Sequence, residues 1–349
     1  MKATSFNTGW TCRHLGSSAP GTPVTLPHDA MLAEERSQTS AGGTNTGWFA
    51  GYDYLYEKHF TPDAAQAAQC AVLEFEGVYH NAEVHLNGEK IASCPYGYSD
   101  FYADLTGKLL PGRDNVLEVI AHNADQPNSR WYSGAGIYRP VTLWTAPARH
   151  ILPDGVQVRT LSIDPAEVEV TVQTTASGAV AVAILDGEQT VATAQAESNG
   201  KAVLRVQIPN AKLWSPDSPA LYRCRAMFGD DCAETTFGVR TLSWGDDGFL
   251  LNGKRVILLG ACVHHDHGVL GACCYPEAEE RKVRLLQKVG YNAVRCAHNP
   301  CSKAFLDACD RLGMLVMDEY ADMWYIHKTQ YDYAGYLPDH WRQDLESLV

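Results

Sequence analysis

Apolar and polar residues alternate with a period of two between residues 54 and 148, and turn residues separate the alternating segments. In AVLEFEG, for example, Leu73 and Phe75 share one face and acidic residues occupy the other, as expected for half-buried strands. Asn87-Gly88 is the sequence of a tight hairpin turn. No helical period competes with this alternation, so the pattern predicts an antiparallel β-sandwich for residues 1–150.

A second β-rich region covers residues 151–241. Its segments VEVTVQTT, AVAVAILDGEQTV, KAVLRVQI, LYRCRAMFGDD and AETTFGV predict six or seven strands, with a turn at Asp186-Gly187. That number of strands in about ninety residues is typical of a small immunoglobulin-like sandwich. Its composition suggests no chemistry, and we interpret it as a spacer, with a binding module as the alternative.

The pattern changes after Leu242, where apolar strands alternate with helical segments. Pro276 begins a predicted helix that Gly290 ends, and Ser302 and Gly313 bound a second one. Strand, helix, strand, helix, strand predicts right-handed βαβ units and a parallel sheet. Polar clusters follow each strand, as at the catalytic face of a (β/α)8 barrel, and no glycine-rich phosphate loop favours a doubly wound sheet. Residues 242–349 accommodate only the first three βα units of such a barrel.

Composition and charge exclude several classes of protein. Forty-one acidic against twenty-eight basic residues give a net charge of −13, which disfavours nucleic acid and anionic membranes as partners. No apolar run is long enough for a signal peptide or a membrane span, so we expect a cytoplasmic protein. The eleven cysteines are odd in number and include no CxxC pair, which indicates reduced, buried thiols and not a disulfide framework.

The densest chemistry lies in GACVHHDHGVLGACC, residues 260–274, where imidazoles, thiols and a carboxylate are potential ligands of zinc or iron. His265 and His267 form an HxH pair after the first barrel strand. This placement leaves a metal-dependent amidohydrolase open as an alternative, although the later histidines and lysine of that class cannot be identified.

The whole chain resembles glycoside hydrolase family 2, and within it the β-galactosidase-like members. The resemblance rests on nine motifs in the family's order, and it implies an amino-terminal jelly-roll-like sandwich, an immunoglobulin-like sandwich and a partial (β/α)8 TIM barrel. The motifs are VTLPHDA (24–30), FEGV and LNG (within 75–88), SRWYSGAGIYRPV (129–141), FGVRTL (237–242), FLLNGK (249–254), GACVHHDHGVLGA (260–272), NAVRCAHNP (292–300), CDRLGMLVMDEYADMW (309–324) and HKTQYDYAGYLPDHWRQDL (327–345).

The resemblance implies retaining hydrolysis of β-galactosides or related glycosides by two glutamates, a nucleophile and an acid/base. Both belong to later barrel strands, so we expect them beyond Val349 and expect the 349-residue chain to be inactive alone. Glu319 matches a family position beside the site and is interpreted as an ion-pair partner there. A non-catalytic carbohydrate-binding fragment is the remaining alternative.

The resemblance also implies a set of sugar contacts. His264 and His298 match histidines that face the sugar, and Arg295 matches a residue that orients the nucleophile. Asp322 would supply a carboxylate that binds hydroxyls, and Trp324 would supply an aromatic surface. Each of these residues has a structural alternative. Arg295 pairs with Asp318 or Glu319, Trp324 lies in the core, and Asn299 only makes a turn. The predicted substrate-binding residues are His264, His298, Arg295, Asn299, Asp322, Trp324, Arg130 and Trp131.

No metal and no other cofactor is expected from the resemblance, because Met323 and Tyr325 stand where some β-galactosidases have metal ligands. The expected partner is a small carbohydrate substrate. Three barrel strands leave an unpaired edge, so we also expect self-association, as a homo-oligomer, or pairing with a missing barrel segment.

Overall fold

The computed structural model describes residues 1–348; Val349, the last residue of the predicted barrel segment, lies outside them. The first part of the chain is an antiparallel sandwich of two sheets, and a one-turn helix α1 (Ala64–Ala67) precedes β5. Its strands are β1 (Lys2–Ser5), β2 (Trp10–His14), β3 (Thr22–Val24), β4 (Tyr54–Phe60), β5 (Cys70–Phe75), β6 (Ala82–Leu86), β7 (Glu89–Cys94), β8 (Phe101–Asp104), β9 (Asn115–Ala121) and β10 (Val141–Ala146).

The two sheets of this sandwich pack face to face, with strand orders β1, β10, β5, β8 and β3, β2, β4, β9, β6, β7. Leu73 and Phe75 of β5 are fully buried in the shared core with Leu117 of β9, which confirms the faces predicted from the alternation. Asn87 and Gly88 both have positive φ, 52° and 84°, as a type I′ hairpin turn requires.

The second part of the chain forms one core from five long strands, fewer than the six or seven that the sequence predicts. The predicted segments VEVTVQTT and AVAVAILD belong to one continuous strand, β12. This strand pairs with β11 through its first half and with β14 through its second half, and its pairing with β13 has a register shift near Ser177. The predicted turn at Asp186-Gly187 joins β12 to β13. The strands are β11 (Ile151–Ile163), β12 (Ala166–Asp186), β13 (Gln189–Gln207), β14 (Tyr222–Phe228) and β15 (Asp231–Phe237).

The third part consists of a small three-stranded antiparallel sheet and three βα units, which confirms the partial barrel. Its parallel sheet has the order β19, β20, β21, and α2 and α3 pack on one of its faces. The elements are β16 (Leu242–Gly245), β17 (Gly248–Leu251), β18 (Lys254–Arg255), β19 (Gly260–Val263), α2 (Pro276–Lys288), β20 (Ala293–Cys296), α3 (Lys303–Leu312), β21 (Leu315–Asp318) and α4 (Leu337–Leu348).

Local signals in the sequence determine where these helices begin and end. The Ser302 hydroxyl accepts a hydrogen bond from the Phe305 N–H at 3.2 Å and caps α3. Gly313, with φ of 83°, ends the same helix in the left-handed conformation. No helix among residues 1–348 is both long enough and apolar enough to cross a membrane.

The first barrel strand begins later than the apolar run VILLG suggests. β19 starts at Gly260, and the three residues before it are 46–68% exposed. The Asn292 side chain bonds this segment: it accepts from the Leu259 N–H at 2.8 Å and donates to the Ile257 carbonyl at 3.0 Å. These side-chain bonds supplement the backbone bonds that the Leu259 carbonyl accepts from the N–H groups of Asn292 and Ala293.

The buried carboxylate of Asp29 connects the first sandwich to the barrel segment. Burial raises its pKa, although the hydrogen bonds that it accepts act in the opposite direction. The donors come from both sides of the interface: the N–H groups of Ala272 (2.9 Å), Ala135 (3.0 Å) and Met31 (3.1 Å) and the hydroxyl of Tyr132 (2.7 Å).

Two glycines with positive φ leave room for this carboxylate. A Cβ atom at Gly134 would lie 2.7 Å from Asp29 Oδ2, and one at Gly271 would lie 2.3 Å from it. Gly134 belongs to the first sandwich and Gly271 to the barrel segment, so each side contributes one glycine to the space that the carboxylate fills.

Lys303, the first residue of α3, joins all three parts of the chain. Its ammonium group lies 3.0 Å from Asp100 and 2.9 Å from Asp154, and it also pairs with Glu74. Glu74 is 3% exposed although it alternates with core residues, because this pairing and the Trp144 indole N–H satisfy its carboxylate. Burial raises the pKa of Asp100 to about 6.

Candidate functional site

Side chains that follow the three parallel strands converge with a loop of the first sandwich. His264 follows β19 and His298 follows β20, and their ring centroids lie 5.5 Å apart. The indole of Trp131 lies 6.0 Å from the His264 ring and 5.1 Å from the His298 ring. The carboxyl ends of parallel strands meet at one edge of the sheet, which explains why residues distant in sequence come together here.

An open cavity of about 360 Å³ lies beside these rings. It contains both charged groups and an aromatic surface, a combination suited to a polar ligand with an apolar face. Its lining consists of Arg295, His298, Glu319, Tyr320, Ala321, Asp322 and Trp324.

Hydrogen bonds within the first sandwich fix the orientation of Trp131. Its indole N–H donates to the Tyr98 hydroxyl at 3.0 Å, and that hydroxyl donates to the Ser133 Oγ at 3.0 Å. Tyr98 is only 4% exposed, so a buried hydroxyl holds the indole in place. The sequence analysis did not identify Tyr98; the only signal was its place in the aromatic run PYGYSDF.

Asp322 joins the wall from the first sandwich to the barrel segment. Arg130 donates to both carboxylate oxygens, at 2.9 and 2.7 Å, and Lys328 donates at 2.8 Å. Burial acts to raise the pKa of Asp322, but the hydrogen bonds from Lys328 and Arg130 outweigh it and hold the pKa below its usual value. Asp322 is therefore an ionised acceptor at neutral pH. Lys328 was missed as a partner because nothing in its local sequence indicates the contact.

Arg295 pairs with Glu319, one of the two carboxylates that the sequence allowed. Its Nε donates to Glu319, and its Nη1 lies 3.0 Å from the Cys262 sulfur; these two hydrogen bonds raise the pKa of the guanidinium. Glu319 also lies 3.5 Å from Nδ1 of His298. Asp318 instead accepts from the Cys301 N–H at 3.1 Å.

His264 is an uncharged imidazole at neutral pH. Burial lowers its pKa, and the nearby His298 lowers it further. Lys282 donates to the His264 backbone carbonyl at 3.0 Å and so positions the residue from below. A neutral ring offers one donor and one acceptor, which suits a hydroxyl ligand.

The other histidines of the HHDH cluster serve packing and pairing. His265 lies against Tyr98 and Tyr138, with ring centroids at 5.3 and 5.7 Å, and burial lowers its pKa to about 3. His267 points elsewhere and lies 3.2 Å from Glu279. Neither belongs to the two groups of three potential metal ligands that residues 1–348 contain, so the geometry gives no support to an amidohydrolase centre.

Two further predicted contacts differ in their exposure. Asn299 is 3% exposed, its amide N–H donates to the Pro300 carbonyl at 3.0 Å, and it lies beneath the cavity, not on its surface. Trp324 is 56% exposed and lines the cavity, so its indole is available as a surface and is not part of the core.

Three models of one family match consecutive parts of the chain. The model for the glycosyl hydrolase 2 galactose-binding domain-like region matches residues 10–149, and that for glycosyl hydrolases family 2 matches residues 154–240. The model for the TIM barrel domain of glycosyl hydrolases family 2 matches residues 243–332.

Individual relatives agree with these models. The chain is 37% identical to β-galactosidase BoGH2A of Bacteroides ovatus over 99% of its own length and 44% of the relative's. A solved glycosyl hydrolase family 2 member from Bacteroides cellulosilyticus superposes with a TM-score of 0.92 at 35% identity, over 100% of this chain and 50% of that one. A β-glucuronidase of Faecalibacterium prausnitzii gives 0.75 at 29% identity, over 91% and 60%. The chain thus spans about half the length of the proteins that it matches.

Proposed function

Because the chain belongs to glycoside hydrolase family 2, we propose that it supplies the sugar-binding half of the active site of a retaining β-galactosidase-like enzyme. The observation that carries the proposal is the cavity of about 360 Å³ at the ends of the parallel strands, lined by His298, whose ring lies 5.1 Å from the indole of Trp131 of the first sandwich. Its substrate would be a β-linked galactoside or a related glycoside.

The groups around the cavity have the chemistry that a sugar requires. The ionised Asp322 accepts hydrogen bonds from sugar hydroxyls, and the neutral His264 donates one. Trp324 offers an exposed indole face to the C–H surface of a pyranose ring, and Trp131 adds a second indole beside the His298 ring. His298, within 3.5 Å of Glu319 and 3.8 Å of Asp322, is held between two carboxylates and can donate to a hydroxyl.

Glu319 is assigned a positioning role in this proposal. Retaining hydrolysis requires two carboxyl groups about 5–5.5 Å apart, one to attack the anomeric carbon and one to protonate the leaving oxygen. Glu319 is already neutralised by Arg295 and approached by His298, so it orients these two side chains. The 349-residue polypeptide by itself is therefore proposed to bind sugar without cleaving it.

Ligand binding tests the sugar pocket directly. We expect the purified protein to bind a non-hydrolysable β-thiogalactoside with a dissociation constant of about 1 mM, or about 4 kcal/mol, as suits a half-formed site. A β-thioglucuronide should bind about tenfold more weakly, a difference of about 1.4 kcal/mol. Arg295 and Lys328 are already paired with Glu319 and Asp322, so its carboxylate would lose water without gaining a free counter-ion. Calorimetry or ligand-observed NMR measures both.

Matched variants connect binding to the cavity. Trp324→Ala should abolish detectable binding, whereas Trp244→Ala, which removes an indole that is 80% exposed elsewhere, should leave it unchanged. Equal effects of the two substitutions, or no binding of either glycoside, would refute the proposed pocket.

Hydrolysis of an aryl β-galactoside tests the second half of the proposal. We expect no release of the aryl alcohol by the purified 349-residue protein. Turnover that Glu319→Gln abolishes would assign Glu319 to direct chemistry and overturn its positioning role.

A further inference from the structure

A second cluster of reactive groups lies beneath His298. Cys296 is the last residue of β20, Asp318 is the last residue of β21, and Cys301 precedes α3. The two sulfurs and one carboxylate oxygen lie within 4.8 Å of one another. The Cys301 N–H donates to the Asp318 carboxylate at 3.1 Å and holds it toward the thiols. Cys296 faces the helices, where it packs in the cluster that contains Val283 and Phe305.

An unsatisfied oxygen lies in the cavity that both thiols line. This space of about 20 Å³ is large enough for one water molecule. Asn299 also lines it, and its amide oxygen is buried without a hydrogen-bond partner among the described residues. A buried carbonyl oxygen without a donor costs free energy, which indicates that a water or a cation satisfies it.

The charges of this region would balance around a divalent cation. Two thiolates and one carboxylate carry three negative charges, of which a divalent ion neutralises two. The buried Arg139, which donates to the Pro300 carbonyl at 2.7 Å, supplies the remaining positive charge. Without an ion, the neighbouring Cys296 thiol and burial hold the pKa of Cys301 well above its usual value.

We propose that Cys296, Cys301 and Asp318 bind one thiophilic divalent cation of the Zn²⁺ type, with the Asn299 amide oxygen or a water as fourth ligand. Thiolate and carboxylate are ligands that Zn²⁺ prefers. Two metal–sulfur bonds and one metal–oxygen bond form, and the two thiol protons leave to the solvent. Ligand atoms of a tetrahedral zinc site lie about 3.5–3.8 Å apart. The cluster, whose ligand atoms lie within 4.8 Å of one another, must therefore contract by about 1.3 Å at most.

The site brackets the loop that carries His298. Only four residues separate the two cysteines, and His298 is one of them. A bound ion would also clamp the end of β20 to the end of β21. It would therefore restrict the motion of the loop from below without touching the sugar cavity.

Cadmium titration tests the site in the protein as it exists. Cd²⁺ added to the reduced, chelator-treated protein at neutral pH should produce the ultraviolet Cd–thiolate charge-transfer band, with a tight phase that saturates at one ion per chain. Zn²⁺ added beforehand should suppress that phase. Cys301→Ser should weaken it by more than about 100-fold, since even losing a partner that only orients a ligand typically costs 10- to 100-fold.

Cys262→Ser is the matched control. Cys262 is an exposed thiol on the opposite face of the same sheet, since its neighbour Val263 pairs in register with Cys296. This variant should keep the tight phase. A tight Cd–thiolate phase that persists in Cys301→Ser would overturn the proposal.

A measurement on the wild type covers the case in which Cys301→Ser does not fold. Co²⁺ bound at the cluster should give the intense visible bands of a tetrahedral site together with a sulfur charge-transfer band. Octahedral Co²⁺ spectra without sulfur bands, or no binding, would exclude the assigned ligands.

Discussion

Replacing Asp29 with Ala should uncouple the first sandwich from the barrel segment. The substitution removes the acceptor of four hydrogen bonds, two of which, from Ala135 and Ala272, come from the two facing loops. Each loop has a glycine next to the carboxylate, so neither loop has a side chain at that position to fill the space. The smaller side chain therefore leaves the donors facing a void.

The size of the effect follows from the unpaired donors. Each buried donor left without a partner costs about 1–3 kcal/mol, so four of them cost at least about 4 kcal/mol. Asp29→Asn should cost about half as much. Its amide oxygen can still accept from the N–H groups of Met31 and Ala135, but its NH₂ group faces the Ala272 N–H, and two donors cannot bond to each other.

Hydrogen–deuterium exchange read by mass spectrometry measures this loss locally. Peptides that cover residues 129–138 and 268–275 should exchange about 1,000-fold faster in Asp29→Ala, because 1.4 kcal/mol corresponds to a factor of ten. Asp247→Ala, which removes an exposed carboxylate, should change neither peptide. If exchange in Asp29→Ala were as slow as in the wild type, the carboxylate would not hold the interface.

Three further changes should alter stability. Burial lowers the pKa of His265 to about 3 from 6.5, so the stability due to its neutral ring is present above about pH 6.5 and lost as the pH falls. By about pH 5 the free energy of unfolding of the wild type should have fallen by about 2 kcal/mol, and urea titrations of His265→Gln should not show this fall. Equal dependence of the unfolding free energy on pH in the wild type and in His265→Gln would contradict the prediction. Lys303→Met should lower the free energy of unfolding by about 3–5 kcal/mol, because three carboxylates lose their counter-ion, and Lys303→Arg should lower it less. Chemical denaturation compares the two variants, and equal losses would show that the ion pairs do not stabilise the fold. Gly313→Ala should cost about 2 kcal/mol more than Gly290→Ala. Both glycines have positive φ, but only a Cβ at Gly313 meets an obstacle, the Pro216 carbonyl at 2.3 Å; equal melting temperatures would be inconsistent with that clash.

Local signals in the sequence predicted the fold well. Ser302 and Gly313 bound α3 as expected, because a helix cap depends on two or three neighbouring residues. The alternation of Leu73 and Phe75 predicted a buried face for the same reason. The number of strands in the second sandwich was wrong, because whether β12 bends or breaks near Ser177 depends on the strands that pair with it.

The candidate site shows where sequence reasoning ends. An HxH pair has the same spacing whether His265 binds a metal or packs against tyrosines, and only its surroundings distinguish the two. Arg295 had two adjacent carboxylates available, and the alternation along β21 directs Asp318 away from it. The contacts of Lys328 with Asp322 and of Tyr98 with Trp131 depend on how the loops fold, which no local sequence pattern indicates.

The bidentate pair of Arg130 and Asp322 places a cavity-lining carboxylate at the seam between the first sandwich and the barrel segment. A seam can be altered from either side. Loop 129–136 could be lengthened or exchanged to reshape the cavity's surroundings while the barrel strands keep their sequence. Diversification at this edge would then proceed through the first sandwich, and the strands of the barrel segment would be spared from mutation.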